Sequence, residues 1–175
     1  MIIEQALIGG AIELQTLDSG NISQDYVSWL NDPEVSRYLE SRFKDHTQGS
    51  VEAFIENCNK SDASILLGIF YESRHIGNIK ADLNFHHKTA GIGLMIGERG
   101  LQGQGIGSSA ITMLGDYLFK NHDIFKINAG IYQSNFPSVK AFEKAGYEVE
   151  YVKHDHIINV EGEREDVIMM VKYAD

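Results

Sequence analysis

Four glycines lie within the eight residues from Gly100 to Gly107, in the stretch ERGLQGQGIGSSAI, and a segment of helical periodicity follows them. A glycine-rich loop at the start of a helix brings backbone N–H groups close to a ligand. The positive end of the helix dipole favours an anion at the same place. The stretch therefore predicts a phosphate-binding loop, and three kinds of phosphate loop compete for it.

Two of the three kinds fit poorly. The P-loop of NTPases requires a Lys directly after its last glycine, and no Lys follows any glycine here, which excludes that loop. A Rossmann dinucleotide loop fits locally, because Gly105 to Ala110 reads G-x-G-x-x-A and Asp123 lies 18 residues after Gly105. The ribose-binding acid of that fold ends the second strand, however, whereas Asp123 precedes a predicted strand. Only 70 residues follow Gly105, too few for the several parallel βαβ units that such a domain needs.

The third kind is Gln102-x-x-Gly105-x-Gly107, placed between a predicted antiparallel strand and an amphipathic helix. Free N–H groups at such a helix start suit the pyrophosphate of coenzyme A.

Hydrophobic periodicity predicts the element order β-α-α-β-β-β-α-β-α-β-β. The three central strands, 64–73, 75–85 and 89–97, are joined by short polar turns and read as an antiparallel meander. Asp32 and Pro33 are typical of a helix start. The predicted fold class is a mixed α/β domain with a mostly antiparallel sheet of about seven strands and flanking helices. Because no repeat, low-complexity tract or linker interrupts the chain, we expect one domain over residues 1–175.

The composition restricts the partners. The formal net charge of −10 argues against nucleic acid, which requires a basic surface. The N-terminal segment is apolar but carries Glu4 and Glu13 and has no basic leader, so we expect neither a signal peptide nor a membrane partner. A cytoplasmic protein is therefore expected. The single cysteine excludes an internal disulfide and a four-cysteine zinc site, and no metal is expected.

The glycine loop, the element order and the stretch YQSNFPSVKAFEKAGYEVE together resemble the GNAT superfamily of N-acetyltransferases. The acyl-CoA loop of that family reads [Q/R]-x-x-G-x-[G/A], and its later motif reads N-x-x-S-x-x-x-[YF]-x-K-x-G-[FY]. The stretches YVSWLNDPEVSRYLE and NVEGEREDVIMM are similar to the branch that acts on ribosomal-protein N-termini, polyamines and amino sugars. The resemblance implies a GNAT-like acyl-CoA fold with a splayed central strand pair and acetyl-CoA as the co-substrate.

The resemblance also implies roles for individual residues in cofactor binding. The backbone of Leu94, Met95 and Ile96 would pair with the pantetheine arm like an added strand. Asn135 and Ser138 have helix capping as a competing role. For Phe142 the competing role is core packing, and for Lys144 it is that of a solvated surface charge. The full set of implied cofactor contacts is Leu94, Met95, Ile96, Gln102, Gly103, Gln104, Gly105, Ile106, Gly107, Ser108, Asn135, Ser138, Phe142 and Lys144.

The proton chemistry departs from the family pattern at two positions. An alkylamine has a pKa near 10.4, so a base has to accept a proton before the nitrogen can attack. Relatives often read TAEIG where this chain reads TAGIG, and many carry a tyrosine acid where Phe142 stands. His87 shares the strand parity of Gly91, and histidine is the residue type that suits proton transfer near neutral pH, so we predict it as the base. An exposed turn histidine is the competing interpretation, and Glu98 is an alternative base.

The helices near the N-terminus would form one wall of the acceptor site. The predicted acceptor contacts are Trp29, Glu34, Arg37 and Tyr38, with core packing competing for Trp29 and an ordinary helix surface for the other three. We expect a primary amine of a small molecule, foremost an amino sugar, attacking directly in a ternary complex. A protein or peptide N-terminus, a polyamine, and a catalytically silent acyl-CoA-binding module remain alternatives. The sequence allows a homodimer and leaves the oligomeric state open.

Overall fold

Eight strands form one sheet in the order β1-β2-β3-β4-β5-β6-β8-β7 in the computed structural model, which describes residues 1–18, 20–101 and 103–174. The strands are β1 Leu7–Gly9, β2 Ile12–Thr16, β3 Ser64–Tyr71, β4 Arg74–Asn84, β5 Thr89–Ile96, β6 Lys126–Tyr132, β7 Glu148–Ile158 and β8 Arg164–Tyr173. The helices are α1 Asp25–Asn31, α2 Pro33–Ser36, α3 Gln48–Lys60, α4 Ile106–Asn121 and α5 Phe136–Lys144, with 3-10 turns at Glu40–Phe43 and Arg99–Leu101.

The mixed and mostly antiparallel fold predicted from the sequence is confirmed. The sheet has eight strands rather than about seven, because the short β1 pairs with β2 ahead of the first predicted strand. The helix that was predicted to restart at Asp32 spans only one turn, in which the Asp32 carboxylate accepts the N–H of Glu34 and Pro33 takes the first helical position.

The parallel neighbours β5 and β6 meet over a short stretch in the middle of the sheet. Three residue pairs join them: Thr89–Lys126, Ala90–Ile127 and Gly91–Asn128. Beyond the last pair the two strands separate, although β5 stays paired with β4 as far as Ile96 and β6 with β8 as far as Tyr132. The splay therefore opens a gap between two strands that are each held firmly on their outer edge.

Alternating side chains of the strands build a core on each face of the sheet. On one face, Ile92 and Ile127 pack with Ile111 and Leu114 of α4 and with Phe142 of α5. On the other face, residues of α1 and α3 pack with side chains of β3 and β5, and the buried members include Tyr26, Trp29, Ile55, Leu66 and Met95. The gap thus lies between two helical layers.

His75 of β4 is buried within the second core. Its ring lies edge-on to that of Tyr26, with 5.6 Å between the centroids, and 5.4 Å from that of Trp29. The Nδ1 atom accepts the backbone N–H of Ser23 at 3.1 Å, which ties the segment before α1 to the sheet. Because burial disfavours the charged ring, the pKa of His75 is lowered to about 4.

Gly77 of β4 permits a close approach of β5. A Cβ atom at this position would overlap the carbonyl oxygen of Met95 and lie 3.0 Å from the Cα of Ile96. We expect Gly77→Ala to lower the free energy of unfolding by about 1–3 kcal/mol, because backbone atoms cannot yield as a flexible side chain does. Gly93→Ala on β5 is the matched control, since nothing lies within 4 Å of its added Cβ. Urea denaturation of both variants tests this, and equal stabilities would contradict it.

His75 also gives the stability a dependence on pH. Its pKa of about 4 in the folded chain lies below the usual value near 6.5 in an unfolded chain, so the unfolded chain binds the proton more readily. The free energy of unfolding should therefore fall as the pH drops from about 6.5 to about 4. His75→Gln keeps an acceptor for Ser23 and should reduce this fall, whereas His156→Gln, at an exposed position, should not. Denaturation curves at several pH values measure it, and an unchanged fall in His75→Gln would refute it.

Candidate functional site

A cavity of about 890 Å³ opens where β5 and β6 separate. Ile92 and Leu94, whose side chains belong to the α4 and α5 face, contribute to its wall. Gly93 and Met95, of the opposite parity, contribute as well. Because residues of both parities line it, the cavity passes through the sheet and connects the two faces.

The first turn of α4 offers backbone donors that have no acceptor within the helix. The first intrahelical bond of α4 runs from the N–H of Ser109 to the carbonyl of Gly105 at 3.0 Å. The N–H groups of Ile106, Gly107 and Ser108 precede that bond and have no acceptor within the helix. Gly103 and Gly105 have φ angles of 79° and 81°, in the left-handed region that favours glycine. The start of α4 therefore offers several backbone N–H groups beside glycines with left-handed φ angles, which is suited to an anion.

Side chains fix the loop from within and from α5. Ser108 is buried and donates its hydroxyl to the carbonyl of Gly105 at 2.8 Å, and Gln104 donates to the carbonyl of Gly100 at 3.2 Å. The ammonium of Lys144 lies 3.3 Å from the point that a Cβ on Gly105 would occupy. A positive charge therefore stands beside the loop. Gln102, predicted as a further contact, lies outside the described residues.

The edge of β5 that faces the gap also carries free backbone donors. The N–H of Gly97 donates to the carbonyl of Ile76 in β4 at 2.9 Å. In an antiparallel ladder alternate residues turn their N–H to the same neighbour, so Met95 directs its N–H to β4. Leu94 and Ile96 direct theirs toward the gap. The predicted strand-like contact would therefore use the backbone N–H groups of Leu94 and Ile96, while the side chain of Met95 lines the opposite face.

The predicted contacts on α5 combine two roles. Asn135, Ser138 and Phe142 all line the cavity. Asn135 also caps α5, since its Oδ1 accepts the N–H of Ser138 at 3.3 Å. Phe142 is buried edge-on against Tyr147 with 5.0 Å between ring centroids. Asn135 therefore caps the helix and Phe142 packs in the core, and both side chains also line the cavity.

On the α1 and α3 face the cavity has a polar floor that sequence reasoning missed. Ser64, Asp82, Gly91 and Asn128 stand opposite one another in one row across β3 to β6. The Asp82 carboxylate accepts from the Lys80 ammonium at 2.5 Å and from the Ser64 hydroxyl at 3.0 Å. The row depends on strand register, so no local motif in the sequence marks it.

A second missed group surrounds Tyr132 at the end of β6. Its hydroxyl donates to the carboxylate of Glu40 and accepts from Nη1 of Arg42 at 2.6 Å. Burial of the ring, and after it the bond to Glu40, raises the pKa of Tyr132 above its usual value, so the phenol keeps its proton at neutral pH. Both Tyr132 and Glu40 line the cavity. Glu40 and Tyr132 lie 92 residues apart in the chain, which hid the pair from motif analysis.

The predicted base lies away from this cavity. His87 is exposed in the turn between β4 and β5, and its backbone N–H donates to Asn84 Oδ1 at 3.1 Å. It is absent from the residues that line the cavity within the described chain. Glu98, the alternative base, lies at the end of β5 and is likewise absent from that lining.

Of the four predicted acceptor contacts, Tyr38 lines the cavity, and its hydroxyl donates to the carbonyl of Ser134 at 3.3 Å. Trp29 is buried in the second core, where it packs against Gly97, so the core interpretation holds for it. Glu34 is exposed at the start of α2. Arg37 pairs with Glu161 at 3.2 Å across a half-exposed surface. The structure does not bring these four side chains together.

Two further properties concern the described part of the chain. None of its helices combines the length and the apolar character needed to cross a membrane. Nor do three His, Cys, Asp or Glu side chains within residues 1–18, 20–101 and 103–174 group together as metal ligands would.

Comparisons with known proteins agree with this architecture. A family model described as an acetyltransferase (GNAT) domain matches residues 14–148. The fold is similar to that of a spermidine N-acetyltransferase from Vibrio cholerae in complex with CoA and spermine, with a TM-score of 0.82 and 19% identity over 94% of this chain and 96% of that one.

Two other solved structures are comparably similar. An acetyltransferase from Salmonella typhimurium that modifies the N-terminal serine of ribosomal protein L7/L12 has a TM-score of 0.83 and 17% identity, over 98% of this chain and 100% of that one. The microcin C7 self-immunity acetyltransferase MccE, in complex with acetyl-CoA and AMP, has a TM-score of 0.79 and 21% identity, over 95% of this chain and 94% of that one.

Proposed function

The chain belongs to the GNAT acetyltransferase family, and on that basis we propose that it transfers the acetyl group of acetyl-CoA to a primary amine of a small molecule. The observation that supports this most directly is the cavity that passes through the sheet where β5 and β6 separate. Such a cavity lets a donor enter from the side of α4 and an acceptor from the side of α1 and α3. The two substrates would meet between the strands, which favours direct attack in a ternary complex.

The described residues fit coenzyme A on two independent counts. The free N–H groups of Ile106, Gly107 and Ser108, with Lys144 beside them, suit a pyrophosphate. The gap-facing N–H groups of Leu94 and Ile96 suit the amides of an extended pantetheine arm. Acetyl-CoA supplies an acetyl group that is activated as a thioester.

The chain's own residues would then orient the reactants and move protons. A gap-facing N–H of β5, such as that of Leu94, can donate to the thioester carbonyl and stabilise the negative charge that develops on its oxygen. Tyr132 holds a proton at neutral pH and lines the cavity, so once its hydroxyl turns away from Glu40 it can donate that proton to the departing thiolate, as Phe142 cannot. His87 stays the proposed base from the sequence, and from its exposed turn it would act through water.

The charges of the cavity bear on the choice of acceptor. Glu40, Asp45 and Asp82 line it together with Lys44 and Lys80, so the wall carries both signs. A polyamine binds best to a wall that carries only negative charges, and the two lysines disfavour its binding. Besides Phe142 of α5, four aromatic side chains line the cavity and suit the apolar face of a compact polar molecule such as an amino sugar: Tyr26, Tyr38, Phe54 and Tyr132.

The proposed activity predicts a ranking of acceptors. Incubation with acetyl-CoA and a panel of amino sugars, polyamines and short peptides should release free thiol, with the highest kcat/KM for amino sugars. Free thiol is followed with a chromogenic disulfide, and the acetylated amine is identified by mass spectrometry. Tight CoA binding without turnover on any amine would contradict the proposal and favour a silent acyl-CoA-binding module.

The loop makes a second prediction, on the donor side. Gly105→Ala places a side chain on a residue with a φ of 81° and against the Lys144 ammonium. We expect a KM for acetyl-CoA raised about tenfold, because the left-handed conformation costs an alanine about 1–2 kcal/mol and the loop must distort. Gly162→Ala is the matched control, with a φ of 84° and nothing within 4 Å of the added Cβ. Steady-state kinetics decide it, and an equal KM in both variants would refute the role of the loop.

A further inference from the structure

We propose that Asp82 binds the ammonium group of the acceptor amine and supplies from β4 the negative charge that Gly91 of β5 cannot. The inference rests on the proposed function, because it assigns a residue to the acceptor half of the same cavity. It names a specificity-determining contact that no motif in the sequence indicates.

Strand register places the Asp82 carboxylate beside the gap. Asp82 of β4 and Gly91 of β5 are directly opposed in the antiparallel pair, so their side-chain positions share one face of the sheet. Gly91 and Asn128 form the last pair before β5 and β6 separate. Asp82 therefore stands one strand away from the point where the slot opens, and both Asp82 and Gly91 line the cavity.

The missing side chain of Gly91 leaves room next to that carboxylate. A Cβ at Gly91 would have Asn128 Oδ1 as its nearest neighbour, at 3.7 Å, and a Cβ at Gly93 would have nothing within 4 Å. The floor between β4 and β6 is consequently open, with the carboxylate of Asp82 on one side and the amide oxygen of Asn128 on the other. A primary ammonium carries three N–H donors and can donate to the Asp82 carboxylate from this space.

Lys80 shows that the Asp82 carboxylate receives a primary ammonium in this setting. Its Nζ lies 2.5 Å from Oδ1 and 2.5 Å from Oδ2 of Asp82, and the side chain reaches there from two residues away on the same strand. The pair is solvent-exposed, with 64% of the Asp82 side chain accessible, so it is weak and exchangeable. An acceptor ammonium of the same chemistry can take the place of Lys80.

The Ser64 hydroxyl keeps the carboxylate oriented during such an exchange. It donates to Oδ1 at 3.0 Å from the neighbouring strand β3. The carboxylate is thus held from the β3 side, and Asp82 itself lines the cavity. Glu40 and Asp45 also line the cavity, from the 3-10 turn Glu40–Phe43 and the residues after it.

Asp82→Asn tests the proposal, because it keeps the shape of the side chain and removes its charge. With the best amine of the panel, its KM should rise about tenfold or more, the range of a charge-assisted hydrogen bond, while kcat changes less than about threefold and CoA affinity is retained. Asp123→Asn is the matched control, since its carboxylate pairs with Lys88 at 2.7 Å outside the cavity lining.

A double variant that moves the carboxylate from β4 to β5 makes the test independent of misfolding. Asp82→Asn combined with Gly91→Glu returns a carboxylate to the same face from the adjacent strand, where the Cβ fits without a close contact. We expect the double variant to recover most of the lost amine affinity. Failure of this rescue in a protein with an unchanged melting temperature would overturn the proposal.

Direct binding of the same amine to the CoA-loaded protein, by calorimetry, separates the two hypotheses. Normal turnover with unchanged amine affinity in Asp82→Asn would overturn the role of Asp82 and leave the proposed function intact. Amine binding that depends on Asp82, without turnover in the wild type, would support the contact and contradict the enzyme. A loss of kcat with an altered pH profile and an unchanged KM would make Asp82 a proton acceptor and overturn the binding role. Absence of amine binding by the wild type would overturn both.

Discussion

The separation of β5 from β6 is the constraint on which the rest of the structure depends. Backbone N–H and C=O groups in a covered position require partners, and the strands lose their mutual ones beyond Gly91 and Asn128. Pairing of β5 with β4 and of β6 with β8 prevents either strand from turning to satisfy them. The gap is therefore preorganised for an extended molecule that carries its own amide groups.

The glycines of the chain divide this work between them. Gly105 lets the loop reverse directly into α4, so that the helix start faces the same gap. Gly77 lets β4 and β5 approach closely behind the gap, and Gly91 and Gly93 leave the floor open in front of it. Around one cavity, glycine thus permits a sharp turn at one place, a close approach of two strands at the second and open space at the third. A single residue type shapes the site because each place needs the absence of a Cβ.

Local sequence signals predicted the fold well, including the elements that surround the gap. The loop, the starts of α2 and α5 and the amphipathic pattern of α4 depend on neighbours within a few residues, and the structure confirms these elements. The acceptor side was predicted less well. Tyr38 lines the cavity, whereas Trp29 shares an apolar pattern with Tyr26 and lies in the core. The Asp82 row and the bond between Glu40 and Tyr132 arise from register and from long-range packing, which a single sequence does not encode in any local motif.

The shortness of the parallel junction has a mechanical consequence. Three residue pairs join the half-sheet β1–β5 to the half-sheet β6–β8, and α4 and α5 bridge them on one face. The junction is thus a narrow seam between two halves of the sheet that are each paired more extensively within themselves. A molecule that binds in the gap adds cross-links along the open part of the seam, so occupancy and rigidity rise together.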